Sequence, residues 1–239
     1  MFRRVFQPIC IFWSSISEEK RTMSKTPRIY NSSIGQKLFV ALAGLFLCLF
    51  LVIHLSGNLL LFKNDGGKAF DRYAEFMSRN AAVRSMELVL FAGFLVHIIF
   101  ALRVWLHGRR ARPNSYAVNR PSGNSTLASR TMIVTGSTIF IFLVIHLRTF
   151  FVPARFSGQA KPSMYSLVKA AFANPVYVAF YLVALAFLGY HLRHGFQSAF
   201  QTFGLRPGRQ RLIDLVAIVF WFLIPIGFAT MPVYFFWTR

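Results

Sequence analysis

Acidic side chains are scarce: 7 Asp and Glu stand against 27 Lys and Arg in 239 residues, a net charge of +20. Glu18, Glu19, Asp65, Asp71, Glu75, Glu87 and Asp214 all fall in tails, connectors or helix ends. No carboxylate therefore sits in the middle of an apolar stretch to carry protons or cations through a bilayer. Cysteine is scarcer still: Cys10 and Cys48 lie far apart and supply no disulfide framework. No run alternates polar and apolar residues as a barrel strand must. There is no phosphate-cradling Gly-rich loop, nucleophile triad or pair of catalytic carboxylates, so hydrolytic and nucleotide chemistry have no carriers here.

What the chain has is apolar length. It is 55% hydrophobic with 28 Phe, and a helix of about 20 apolar residues spans the roughly 30 Å core of a bilayer. Five stretches reach that length, near Lys37–Phe62, Met86–His107, Thr131–Val152, Pro175–Phe200 and Leu212–Phe236. Polar connectors such as Lys63–Arg84 and Arg109–Arg130 separate them. The expected fold is all-α: a polytopic membrane protein of five transmembrane helices, four of them forming a ligand-binding bundle over residues 30–239, behind a tail of residues 1–29. In a soluble protein +20 would suggest nucleic acid, but the basic residues cluster in loops flanking the spans, which points to membrane lipid and not to a nucleic-acid partner. Alternate connectors carry 17 Lys and Arg on one side and 10 on the other. The positive-inside bias places the N-terminus in the cytoplasm and the C-terminus outside.

Met1–Thr22 holds Arg3, Arg4 and a short apolar run, Val5–Trp13, broken by Pro8. It has no small-residue cleavage site and is too short to span. Met23-Ser24-Lys25 reads as the true start, with 1–22 an upstream extension assigned in error; an interfacial amphipathic anchor is the alternative.

His54, His97, His146 and His191 lie in four different spans. Imidazole in hydrocarbon needs a partner, so an intramembrane histidine marks a functional site by default. Singly, each would be read as a helix-to-helix hydrogen-bond partner. Four, one per helix, is the number that holds two haem irons by bis-histidine ligation across a bundle. His54 lies nine residues before Lys63 and His146 nine before Arg155, each about 14 Å from the outer boundary. His97 lies 13 residues after Arg84 and His191 17 after Asn174, about 20 and 25 Å inward. The depths pair His54 with His146, and His97 with His191. With no Cys-x-x-Cys-His motif, haem would be held non-covalently, as in b-type cytochromes.

Gly57, Gly93, Gly136 and Gly189 near these histidines suit the close approach of a flat macrocycle, although glycine also serves close helix packing. Arg103, Arg148 and Arg193 are candidate partners for haem propionates, or simply snorkelling anchors. His107 reads as solvated; His194 shares a helix face with His191, and depth favours His191 as the ligand.

The segments Ser33-Ile34-Gly35-Gln36-Lys37, Ala43-Gly44-Leu45 and Val52-Ile53-His54-Leu55-Ser56-Gly57-Asn58 resemble the dihaem cytochrome b subunit of succinate:quinone oxidoreductase. So do the loop Gly66–Asp71, the segment Tyr73–Phe76 and the stretch Gly189–Thr202 with its His-x-x-His-Gly-Phe-x-Ser pattern. Over roughly residues 30 to 236 the chain is similar to the single-chain, five-helix anchor of the succinate dehydrogenase/fumarate reductase family. The resemblance implies two b-type haems, a flavoprotein subunit and an iron–sulfur subunit on the cytoplasmic face, a quinone site, and residence in the cytoplasmic membrane of a bacterium. It implies the same histidine pairing, with the His54 and His146 haem nearer the outside. Members that use menaquinone often carry an acid in the outer connector, a role Glu75 or Asp71 would fill. Some fumarate reductases have a glutamate two residues before the fourth ligand; Gly189 stands there, so that proton route does not carry over.

Succinate chemistry itself has no place in this chain, which lacks a flavin-binding fingerprint and a soluble domain to hold one. The expected role is that of an electron-transfer anchor contributing the quinone site. A cytochrome b anchor of a hydrogenase or formate dehydrogenase is the nearest rival. A transporter or channel with structural histidines ranks below, because five spans cannot form two equal inverted halves.

Overall fold

The computed structural model describes residues 29–110, 130–157, 163–205 and 207–238. Cys10, the Met23 start and the interfacial-anchor alternative lie outside the described residues, as does most of the connector between the second and third spans. Among the described residues five helices are long and apolar enough to cross a membrane: α1 (Ser33–Phe62), α3 (Ala81–Arg110), α4 (Met132–Phe156), α6 (Pro175–Thr202) and α7 (Gln210–Trp237). Two short helices, α2 (Lys68–Arg79) and α5 (Met164–Phe172), lie in connectors. Among the described residues there is no strand.

The helices overrun the apolar stretches read from the sequence: α3 starts at Ala81, not Met86, and α4 ends at Phe156, not Val152. Hydropathy marks only the residues that sit in hydrocarbon; caps decide where the backbone stops. Asn80 Oδ1 accepts from the N–H groups of Ala82 (3.0 Å) and Val83 (3.2 Å), satisfying donors that have no intrahelical partner and starting α3 early. Asn174 does the same for α6 at Val176 (2.9 Å) and Tyr177 (3.2 Å), with Pro175 at the first helical position. Ser32 Oγ accepts from Gly35 N–H at 3.0 Å and starts α1.

Two spans carry a π-helical turn, and each precedes a proline: Leu147–Phe151 before Pro153 in α4, and Val219–Leu223 before Pro225 in α7. Proline has no N–H and its ring strikes the carbonyl four residues back, so the helix widens locally to accommodate it. Pro153 thus distorts α4 and Pro225 distorts α7, while Pro232 lies further along inside α7.

α1 packs along α3 and α6, and α6 packs along α4 and α7. The two short helices cover one end of this bundle. Gly66 (φ 66°) and Gly67 (φ 87°) make the turn into α2, a conformation costly for any residue with a Cβ. Asp65 fixes the turn by accepting from Gly67 N–H (3.0 Å) and Ala69 N–H (2.9 Å). Asp71 then ties α2 to α5, accepting from Ser163 Oγ (2.6 Å) and the Tyr165 N–H (2.9 Å). Phe70 of α2 and Val168 and Phe172 of α5 bury against Leu61, Phe150, Tyr181 and Phe235 of the spans. This is the capped end. Toward the opposite end a second cluster joins Cys48, Leu192, Phe196, Ile213 and Ala217.

Candidate functional site: two histidine pairs inside the bundle

Each of the four intramembrane histidines comes from a different span: His54 from α1, His97 from α3, His146 from α4 and His191 from α6. Their rings meet in two pairs. His54 and His146 have ring centres 5.9 Å apart at 87°, toward the capped end. His97 and His191 have ring centres 6.3 Å apart at 70°, toward the opposite end. It is the ring of His191 that faces His97. His107 is exposed, with Nδ1 3.0 Å from the carbonyl of Arg103 on its own helix.

In each pair the Nδ1 atoms have protein partners. His97 Nδ1 lies 3.3 Å from the carbonyl of Val40 on α1. His191 Nδ1 lies 3.2 Å from Thr135 Oγ1 on α4, whose own proton goes to the Met132 carbonyl at 3.0 Å. His146 Nδ1 lies 2.5 Å from the Tyr181 hydroxyl on α6. The Val40 carbonyl can only accept and the Thr135 proton is spent on Met132, so His97 and His191 carry the ring proton on Nδ1 and the lone pair on Nε2, whereas the Tyr181 hydroxyl can donate or accept. His54 differs: Asn58 donates its amide to the His54 carbonyl (2.7 Å) and that same nitrogen is 3.4 Å from Nδ1.

The surroundings of the pairs differ too. Phe50, Phe142, Phe150 and Phe228 ring the capped-end pair, with ring centres 5.2 to 5.7 Å from the imidazoles. Glycine backs the other pair. A Cβ on Gly44 would come within 3.3 Å of His97 Cε1, and one on Gly136 within 3.6 Å of His191 Cε1.

The donor set fits a haem. Two imidazoles bonded to one iron at about 2 Å each have ring centres roughly 6 Å apart, the spacing of both pairs. An Nδ1–H engaged by an acceptor is the usual support of a metal-ligating histidine. Among the described residues no group of three or more His, Cys, Asp or Glu is placed to share a metal ion, so the histidines are organised in twos.

The other candidates lie at the margins. Arg103 and Arg193 are exposed and rest over Phe100 (5.5 Å) and Trp221 (5.4 Å), and Arg148 is exposed in the π-helical turn. Asp71 is committed to the α2–α5 tie. Glu75 pairs with Arg79 at 3.0 Å on an exposed face, in a shallow depression lined also by Arg72, Phe76 and Asn80. Closer to the capped-end pair is Tyr73, packed over Gly57 three residues beyond His54; burial pushes its phenol above the ordinary tyrosine range.

Sequence reasoning passed over Thr135, Tyr181, and the ion pair Glu87–Arg155 that joins α3 to α4 near the capped end. The available signal was a polar group inside an apolar span, diluted in Tyr181 by the Tyr and Phe residues around it.

Among the described residues, five membrane-crossing helices enclosing two histidine pairs define an all-α integral membrane helix bundle. Over residues 106–226, just over half of its length, the chain matches the family described as succinate dehydrogenase/fumarate reductase transmembrane subunit, and it belongs to that family. No curated protein and no solved structure matches it. As a membrane subunit of that complex it has catalytic subunits for partners.

Proposed function

We propose that this subunit is a dihaem cytochrome b anchor, with His54 and His146 the axial ligands of one b-type haem and His97 and His191 those of the other. The observation that carries the proposal is the facing of imidazoles from four spans in two pairs, at 5.9 and 6.3 Å between ring centres. Bound haem would supply a reversible one-electron couple at each pair, linking the iron–sulfur subunit and its flavoprotein partner to a membrane quinone. The chain's own work is to hold the imidazoles at two depths, to fix the ring proton on Nδ1 through Val40, Thr135 and Tyr181, and to keep the pairs apart from water.

The charge bias of the connectors supports a cytoplasmic N-terminus and a capped end that faces outside, and the family resemblance supports residence in a bacterial cytoplasmic membrane. Quinone reaction belongs in this reading at the capped end, with Glu75 as the accessible carboxylate and menaquinone as the expected species. Asp71 serves there as a tether. The family match favours this reading over a hydrogenase or formate dehydrogenase anchor and over a transporter.

The test is the reduced-minus-oxidised absorption spectrum of the purified complex, with haem quantified against this subunit. Two b haems per chain is the expected result. A complex with bound catalytic subunits and no b-type bands overturns it.

A further inference from the structure

We propose that Tyr181 is a positioning residue for His146, its phenol oxygen accepting the Nδ1 proton, turning Nε2 toward His54 and lowering the reduction potential of the capped-end site alone. The inference rests on the haem reading above. Its ground is a contact between two spans: the hydroxyl of Tyr181 on α6 reaches His146 Nδ1 on α4 at 2.5 Å, the shortest of the polar contacts made by the four histidines. Tyr181 is only 7% exposed. Its ring is locked edge-on by Phe142 (4.8 Å between centres) and Phe172 (4.9 Å), and lies 5.1 Å from that of Tyr177. A phenol so confined holds its oxygen in one place.

A ligand histidine that donates its second ring N–H to an acceptor is oriented by it and made more basic. A more basic ligand favours the more oxidised iron, so the acceptor lowers the potential. At the opposite end this role falls to Thr135 for His191 and to the Val40 carbonyl for His97. The two sites thus have separate polar supports on different residues, and each can be changed without touching the other.

The experiment is a redox titration of the intact complex followed optically, with the capped-end haem assigned from His97→Ala, which retains only that haem. Tyr181→Phe keeps the ring and removes the acceptor. Haem content stays at two per chain, and the reduced-to-oxidised ratio of the capped-end haem at its wild-type midpoint rises on the order of fivefold, the weight of one net hydrogen bond. The other haem does not move. Thr135→Val shifts the opposite-end haem and leaves the capped-end haem alone. Replacing Tyr181 by a difluorinated tyrosine, which keeps ring and hydroxyl but weakens the oxygen as an acceptor, moves the same midpoint upward by less; this arm serves if Tyr181→Phe fails to accumulate. A haem-loaded Tyr181→Phe complex with an unchanged capped-end midpoint, or with both midpoints shifted equally, overturns the proposal. A wild-type complex without haem removes the reading beneath it instead.

Discussion

The backbone carbonyl of Trp221 lies against the Cα of Gly189: a methyl group on that glycine would meet the carbonyl oxygen at 2.6 Å. Pro225, four residues beyond Trp221, has no N–H to offer this oxygen, and the π-helical turn Val219–Leu223 displaces the backbone just there. Gly189 seats α6 on α7 two residues before His191.

That contact gives the first prediction. Alanine normally exceeds glycine in a helix interior by about 1 kcal/mol. Here a rigid backbone oxygen stands in the way, and overpacking costs about 1–3 kcal/mol. Gly189→Ala is expected to lower thermal stability and to weaken the His97–His191 site selectively, read as a loss of one b-type band before the other during heating. A variant more stable than wild type would contradict the seat.

The glycines behind the same pair differ in how closely they press. A Cβ on Gly44 would lie 3.3 Å from the His97 ring, tighter than ordinary contact, while one on Gly136 at 3.6 Å from His191 would be in normal contact. Gly44→Val should displace His97 and lose the opposite-end haem. Gly136→Ala should keep two haems per chain. Pyridine haemochrome counts on the two purified variants decide the matter, and equal haem content in both would sink it.

The ligand assignment predicts an ordered pattern of losses. His54→Ala and His146→Ala should remove one and the same haem; His97→Ala and His191→Ala should remove the other. His194→Ala should retain both. The spectrum of each single variant reads this directly, and His54 and His97 variants lacking the same component would refute the pairing.

Two ion pairs near the capped end should behave oppositely. Glu87 and Arg155 hold α3 to α4 with side chains 24% and 12% exposed, and Arg155 also donates to the Ser78 carbonyl at 3.2 Å. Removing the Glu87 carboxylate strands a shielded cation, so Glu87→Ala should cost on the order of 2 kcal/mol. Glu75 and Arg79 are 58% and 77% exposed, and Glu75→Gln should change stability by no more than about 0.5 kcal/mol. Chemical denaturation of detergent-solubilised protein distinguishes them. With stability and haem unchanged, Glu75→Gln should still slow quinone turnover while succinate oxidation with artificial acceptors continues. Normal quinone turnover in that variant would take Glu75 out of the proposal.

Five spans and the four intramembrane histidines were legible in the sequence because they depend on one-dimensional quantities. Apolar length sets what crosses a bilayer, and 1.5 Å per residue converts sequence distance into depth. Depth alone put His54 level with His146 and His97 nearer His191, and the rings stand together in those same twos. Rotation about the helix axis is another matter. Which side of α4 faces α6 depends on how all the spans pack, and small errors in helical phase accumulate along a span interrupted by a π-helical turn. Hence the tertiary structure alone decided that Tyr181 meets His146, that Thr135 meets His191, and that Asp71 is spent on holding α5 while Glu75 stays exposed. A chain fixes how deep each residue lies by counting; which residues touch at that depth is set by packing, where a single methyl on Gly189 would change the answer.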